Sequence, residues 1–219
     1  MPNQSLFVFD AYGTLFDVHA GASRHRDAIG VSWERLSQIW RQKHLEYTWI
    51  HAQTGRPETF WALTQQSLDY AIAAAGGIPP GIRDKLLAAY RSMATFEEVP
   101  AVLAGLKAHG AKLAILSNGD PDMLRDAVTT AGLDGVFDAV LSVQPAGIFK
   151  PAMRVYALVT DHFSCRPADV SFQSSNRWDI AGAHVFGFRT VWINRGGLPD
   201  EYPGMPADLV TRDLKPLLS

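Results

Sequence analysis

Four short apolar runs constrain the fold of this chain more than any other feature of its sequence. They are 6–9 (LFVF), 112–116 (KLAIL), 170–173 (VSFQ) and 190–193 (TVWI). Runs of this length and composition read as strands buried on both faces, the habit of parallel sheets covered by helices. A weaker fifth run is 137–141 (FDAVL). Helical windows fall between most of them, at 99–109, 121–131, 151–163 and 178–186. Pro121 and Pro151 sit where a helix tolerates proline, in its first turn.

Strands alternating with helices predict an α/β fold, a Rossmann-like parallel sheet flanked by helices. Residues 16–96 break the alternation. They offer no convincing strand, only amphipathic windows at 20–29, 32–52, 57–75 and 80–93, the last two parted by Gly76-Gly77 and Pro79-Pro80. This stretch is expected to be an all-helical cap inserted after the first strand. The expected division is a catalytic core of 1–15 and 97–219 and a cap of 16–96.

Composition serves mainly to exclude. The 219 residues carry a net charge of −2 with no polybasic run, so neither nucleic acid nor an anionic membrane is an expected partner. No apolar stretch is long enough to span a bilayer, and the N-terminal apolar run is too short for a signal peptide. Cys165 is the one cysteine, so no internal disulfide is possible and a cytoplasmic protein is expected. The seven histidines show no metal-binding spacing with a carboxylate and read as core or surface residues.

The strand ends are polar. The first leads into Asp10, the second into Ser117 and Asn118, the fourth into Ser174, Ser175 and Asn176 with Asp179 a turn later. Lys150 precedes a helix in the segment GIFKP. Ligands of open parallel sheets bind beyond the carboxyl ends of the strands. Acid, hydroxyl, amide and lysine groups converging on that rim are the raw material of a catalytic site.

Four pieces, FVFDAYGTLFD, LSNGD, FKP and SSNRWDIAGA, resemble the haloacid dehalogenase superfamily in order and spacing. With the helical insertion, the resemblance covers essentially the whole chain. Most members of the superfamily are phosphatases with an Asp-x-Asp-x-Thr motif, whose second Asp shuttles a proton, and they use magnesium. Here the second Asp is Tyr12, and an unperturbed tyrosine, with a pKa of about 10, is a poor proton shuttle at neutral pH. Ser174 and Ser175 stand where phosphatases often carry Gly-Asp. The combination resembles the (S)-2-haloacid dehalogenase branch, to which Arg41 and Trp178 also correspond. That branch implies a hydrolase without metal or cofactor, commonly a homodimer, that converts short (S)-2-haloalkanoic acids to (R)-2-hydroxy acids through an aspartyl ester and releases halide.

The resemblance implies a role for each residue. Asp10 is the nucleophile and Thr14 holds its loop. Arg41 and Asn118 cradle the halide, with Gln42 on the same side. Ser117 and the backbone at Ala11 and Tyr12 hold the substrate carboxylate. Lys150 sits beside Asp10. Asp179, Ser174 and Asn176 orient the hydrolytic water. Tyr156 touches Arg41 or the substrate carboxylate. Tyr12, Leu45, Phe60 and Trp178 wall in the alkyl group. The rival functions are a magnesium-dependent phosphatase and a non-catalytic small-acid binding protein. The segment 144–147 (QPAG) departs from relatives that often carry an acidic residue there, and it bears on substrate range.

Overall fold

The computed structural model describes residues 5–218; residues 1–4 and 219, placed with the core above, lie outside the described residues. Six strands form one sheet: β1 (Leu6–Phe9), β2 (Lys112–Ser117), β3 (Ala139–Ser142), β4 (Val170–Ser174), β5 (Arg189–Ile193) and β6 (Leu209–Thr211). All pairings are parallel, in the order β3-β2-β1-β4-β5-β6. β1 and β4 are buried along their whole length, as strands covered on both faces must be. The sheet is flanked by α6 (Val99–Ala108), α7 (Pro121–Thr130), α8 (Met153–Phe163) and α9 (Arg177–Phe186). The expected α/β class is the observed one.

The chain leaves β1 toward β2 and β3 on one side and returns to β4 and β5 on the other. The connections therefore diverge between β1 and β4, which opens a crevice at their carboxyl ends. The three strands carrying the candidate residues, β2, β1 and β4, are neighbours, so Ser117, Asp10 and Asn176 come together without any help from loop length.

Between β1 and α6 lie five helices, α1 (Ala20–Arg24), α2 (Arg26–Ile29), α3 (Trp33–Thr54), α4 (Phe60–Ala74) and α5 (Ile82–Arg91). α3 packs along α4, and α1 packs on α3 and α5. Thr59 caps α4 by accepting from the Ala62 amide at 3.1 Å.

Several boundaries differ from expectation. The window 20–29 is two short helices, because His25 leaves helical geometry (φ −106°, ψ 13°). β3 starts at Ala139; Asp138 before it spends its carboxylate on the Leu113 amide and on Lys107. α8 starts at Met153, with Pro151 outside it, because Ala152 is extended (ψ 132°). β6 was not foreseen. No described helix is long and apolar enough to cross a membrane.

Candidate active site

The turn after β1 delivers the acid. Asp10 continues the ladder by donating its amide to the Gln173 carbonyl at 2.9 Å, and the chain then reverses, with the Thr14, Leu15 and Phe16 amides converging on the Ala11 carbonyl. Gly13 makes that reversal at φ +93°, where a side chain is strained. The result presents the Asp10 carboxylate at the crevice, only 7% of its side chain exposed.

Four donors make five hydrogen bonds to this carboxylate and its neighbour. Lys150 Nζ donates to Asp10 Oδ1 at 3.1 Å. Thr14 Oγ1 and Asn176 Nδ2 donate to Asp10 Oδ2 at 3.1 and 2.8 Å. On its far side, Lys150 Nζ reaches Asp179 Oδ2 at 2.8 Å, and the Tyr156 hydroxyl donates to Asp179 Oδ1 at 2.8 Å. Lys150 and Asp179 are wholly inaccessible. Burial by itself depresses a lysine, but the charges of Asp10 and Asp179 outweigh it and Lys150 is raised above its ordinary value. Burial pushes the Asp179 carboxyl up, to about 6, against the pull of Lys150 and with the push of Asp10. A buried ammonium between two carboxylates fixes the position and direction of the Asp10 carboxylate.

The space in front of Asp10 is lined by Asp10, Tyr12, Arg41, Leu45, Phe60, Ser117, Asn118, Asn176 and Trp178. Asn118 accepts the Lys150 amide on Oδ1 at 2.9 Å, which leaves its NH2 group as the donor. Ser117 Oγ accepts from the Gly119 amide at 3.1 Å and keeps its proton to give. Arg41 crosses from α3 to donate through Nη2 to the Tyr12 carbonyl at 3.1 Å and to Asn176 Oδ1 at 3.0 Å. Asn176 thus bridges the Asp10 carboxylate and the Arg41 guanidinium. The apolar wall is aromatic: the Tyr12 ring lies 5.1 Å from Phe60 and stacks on Tyr90 at 5.6 Å, and Trp178 meets Trp49 edge-on. The Tyr12 hydroxyl is buried without a partner, and burial holds its pKa well above the ordinary value.

The remaining predicted residues stand outside this chamber. Ser174 Oγ accepts the Asn176 amide at 3.1 Å and acts through it rather than on water. Tyr156 does not meet Arg41; it is buried on α8 against Phe172 of the interior strand β4, and its hydroxyl is spent on Asp179. Gln42 faces solvent, because one helical step of about 100° from Arg41 turns it away from the chamber.

Four contributors carry no signal of their role in the sequence. Asp120 accepts the amides of Phe60 and Trp61 at 3.2 and 2.8 Å, so a residue of the β2–α7 loop caps α4 and pins the chamber's Phe60. Gly119 lies under Tyr12; a Cβ there would stand 2.7 Å from Tyr12 Cε2. The Ser175 amide donates to Thr14 Oγ1 at 2.8 Å, and Arg195 Nη2 donates to the Thr14 carbonyl at 3.0 Å. The LSNGD motif pointed at Asp120 and Gly119, yet their partners lie far away in the chain.

A buried aspartate after the first strand of such a sheet, a lysine and a second acid behind it and donors at three strand ends are the constellation of a hydrolase. The chain belongs to the haloacid dehalogenase-like hydrolase family, whose profile matches residues 5–187. It is 44% identical over 200 residues to (S)-2-haloacid dehalogenase 1 of Pseudomonas sp. (strain CBS-3), covering 91% of this chain and 88% of that protein. A crystal structure of a dehalogenase superposes with a TM-score of 0.96 at 39% identity, covering 99% of this chain and 96% of that one. The L-2-haloacid dehalogenase from Xanthobacter autotrophicus with chloropropionic acid covalently bound superposes with a TM-score of 0.86 at 36% identity, covering 99% and 97%.

Proposed function

We propose that the protein hydrolyses short (S)-2-haloalkanoic acids to (R)-2-hydroxy acids without a metal ion. The observation that carries this reading is Tyr12. Two residues after the nucleophile, where a phosphatase of the family needs a proton-shuttling acid, stands a buried phenol held in its neutral form. Halide leaves without a proton, so its departure needs donors rather than an acid. Arg41 and the Asn118 amide supply them. The cationic place between Asp10 and Asp179 is already filled by the Lys150 ammonium.

In the first step an Asp10 carboxylate oxygen attacks the α-carbon from the side opposite the halogen. The carbon–halogen bond breaks, halide leaves with the electron pair, and an ester of Asp10 forms with inversion. Ser117 and the backbone amides of Ala11 and Tyr12 hold the substrate carboxylate. Tyr12, Leu45, Phe60 and Trp178 enclose the alkyl group. In the second step water, oriented by Asp179 and Asn176, attacks the ester carbonyl carbon of Asp10. The C–O bond within the ester breaks, the departing oxygen takes one proton of the water to give the hydroxy acid, the other proton is released to solvent, and Asp10 regains its charge with one oxygen from solvent. The division into a core of 1–15 and 97–219 and a cap of 16–96 follows from this reading, with the cap supplying Arg41, Leu45 and Phe60. We further propose a cytoplasmic homodimer, for which exposed Ile50 and Tyr70 on α3 and α4 offer apolar surface.

The test is turnover in 18O-labelled water followed by mass analysis of the peptide bearing Asp10. Label entering the peptide supports the ester. Label confined to the hydroxy acid after a single turnover, with none in the protein, refutes it.

A further inference from the structure

The space in front of Asp10 has a free volume of about 10 Å³, room for about one water molecule. A substrate must displace part of the wall. Four of the nine lining residues, Arg41, Leu45, Asn176 and Trp178, also line a second, open cleft of about 520 Å³. That volume lies within the range of about 300–1,000 Å³ common to ligand sites. The polar part of the shared boundary is tied, because Arg41 Nη2 donates to Asn176 Oδ1 at 3.0 Å and to the Tyr12 carbonyl at 3.1 Å. The apolar part is Leu45 and Trp178, both half-buried. A leucine side chain has no hydrogen bond to lose and moves between rotamers. The chamber thus gives way toward free space on its apolar side.

Beyond that boundary the cleft offers mainly carbon. Val18, Phe96, Trp192, Ile193 and Leu198 line it. Arg177 pairs with Asp200 at 2.6 Å, and Arg195 pairs with Glu98 at 2.7 Å while its guanidinium lies over the Phe96 ring at 3.7 Å. Beyond Arg41, then, no arginine or lysine of the described lining is without an acidic partner. Asp17 and the exposed Glu201 would repel an anion there. Arg177 Nη1, Arg195 Nε and Ser175 Oγ lack hydrogen-bond partners but are buried, out of reach of anything in the cleft. Part of the lining is a fixed loop after β5, in which Asn194 exchanges two hydrogen bonds with the Leu198 backbone, at 2.8 and 2.9 Å. A smaller hollow of about 290 Å³ shares only Asn118 with the chamber among the described residues, on the side assigned to the halide.

We propose that the 520 Å³ cleft receives the side chain of longer substrates, so that the enzyme takes unbranched 2-haloalkanoic acids up to the hexanoate. The inference rests on the dehalogenase reading. The halogen stays at Arg41 and Asn118 and the carboxylate at Ser117, while the alkyl chain passes Leu45 and Trp178 into the cleft. Segment 193–198 then sets the substrate range. Segment 144–147, whose Gln144 and Gly147 line the smaller hollow, does not.

The experiment measures chloride release from (S)-2-chloropropionate, (S)-2-chlorobutyrate and (S)-2-chlorohexanoate by wild type, Gly196→Leu and Leu198→Trp, with a melting curve for each protein. A Cβ at Gly196 would meet only Leu198, at 3.5 Å, so a side chain is accommodated there and takes up space in the cleft. Leu198 is 65% exposed, so its replacement leaves the core intact. Each methylene that leaves water for the cleft should lower KM about twofold, with kcat within about threefold across the series. Both variants should raise KM for the hexanoate about fivefold or more and leave the constants for the propionate unchanged. A wild-type kcat/KM for the hexanoate below that for the propionate would overturn the proposal. So would variants that leave the hexanoate KM unchanged or that impair both substrates alike. A wild type that releases chloride from none of the three would instead overturn the dehalogenase reading itself.

Discussion

Replacing Lys150 by Met tests the electrostatic frame of the site. The substitution keeps most of the buried volume and removes the ammonium that stands 3.1 Å from Asp10 and 2.8 Å from Asp179. At about 3 Å and an effective dielectric constant of about 20, each attraction is on the order of 5 kcal/mol. Part of that loss is returned, because a lysine no longer has to be desolvated. Breaking a buried pair from one side costs about 3–5 kcal/mol net. At neutral pH the variant should therefore melt roughly 10 °C below wild type, given about 2–4 °C per kcal/mol for a chain of this size. The penalty should depend on pH. Asp179 already titrates at about 6, above its ordinary 3.8, chiefly through burial. Without the ammonium it moves higher still. A carboxyl whose folded pKa lies above its unfolded value stabilises the fold at pH below the unfolded value, and that stabilisation is lost as pH rises through the folded value. The variant's melting deficit should thus be smaller at pH 5 than at pH 8. Thermal melts of both proteins across this range are the assay. A deficit that does not change with pH, or no deficit, refutes the reasoning.

Other outcomes follow from single contacts. Asn176→Asp puts a second carboxylate 2.8 Å from Asp10 and removes a donor to it, so halide release should fall at least about a hundredfold while the fold persists by circular dichroism. Asp120→Ala frees the start of α4 and should cost about 1–2 kcal/mol in urea titrations, with KM rising more than kcat falls, because Phe60 loses its anchor. Gly119→Ala drives a methyl group into Tyr12 and should lower kcat/KM at least about tenfold, whereas a rate equal to wild type would show that the wall is not held by this contact.

The sequence made the buried strands legible because parallel strands covered on both faces leave unbroken apolar runs. β1 shows this, all four of its residues being buried. β6 escaped notice because an edge strand of three half-exposed or exposed residues has no such run. The polar strand ends marked the rim, and the structure brings Asp10, Ser117, Lys150, Asn176 and Asp179 to it. Relations between distant helices were out of reach. Whether Gln42 or Arg41 faced the chamber turned on one helical step, and the role of Tyr156 turned on the geometry between α8 and α9. Asp120 reads as a turn residue in the sequence, and only the approach of α4 makes it a cap.

The central claim is that Asp10 displaces halide without the aid of a metal ion. The most direct measurement is halide release from (S)-2-chloropropionate in the presence of EDTA, by wild type and by Asp10→Asn. The account predicts release by wild type and none by the variant. No release in EDTA, with phosphate freed from an aryl phosphate once magnesium is supplied, would contradict it and return the chain to the phosphatases of its family.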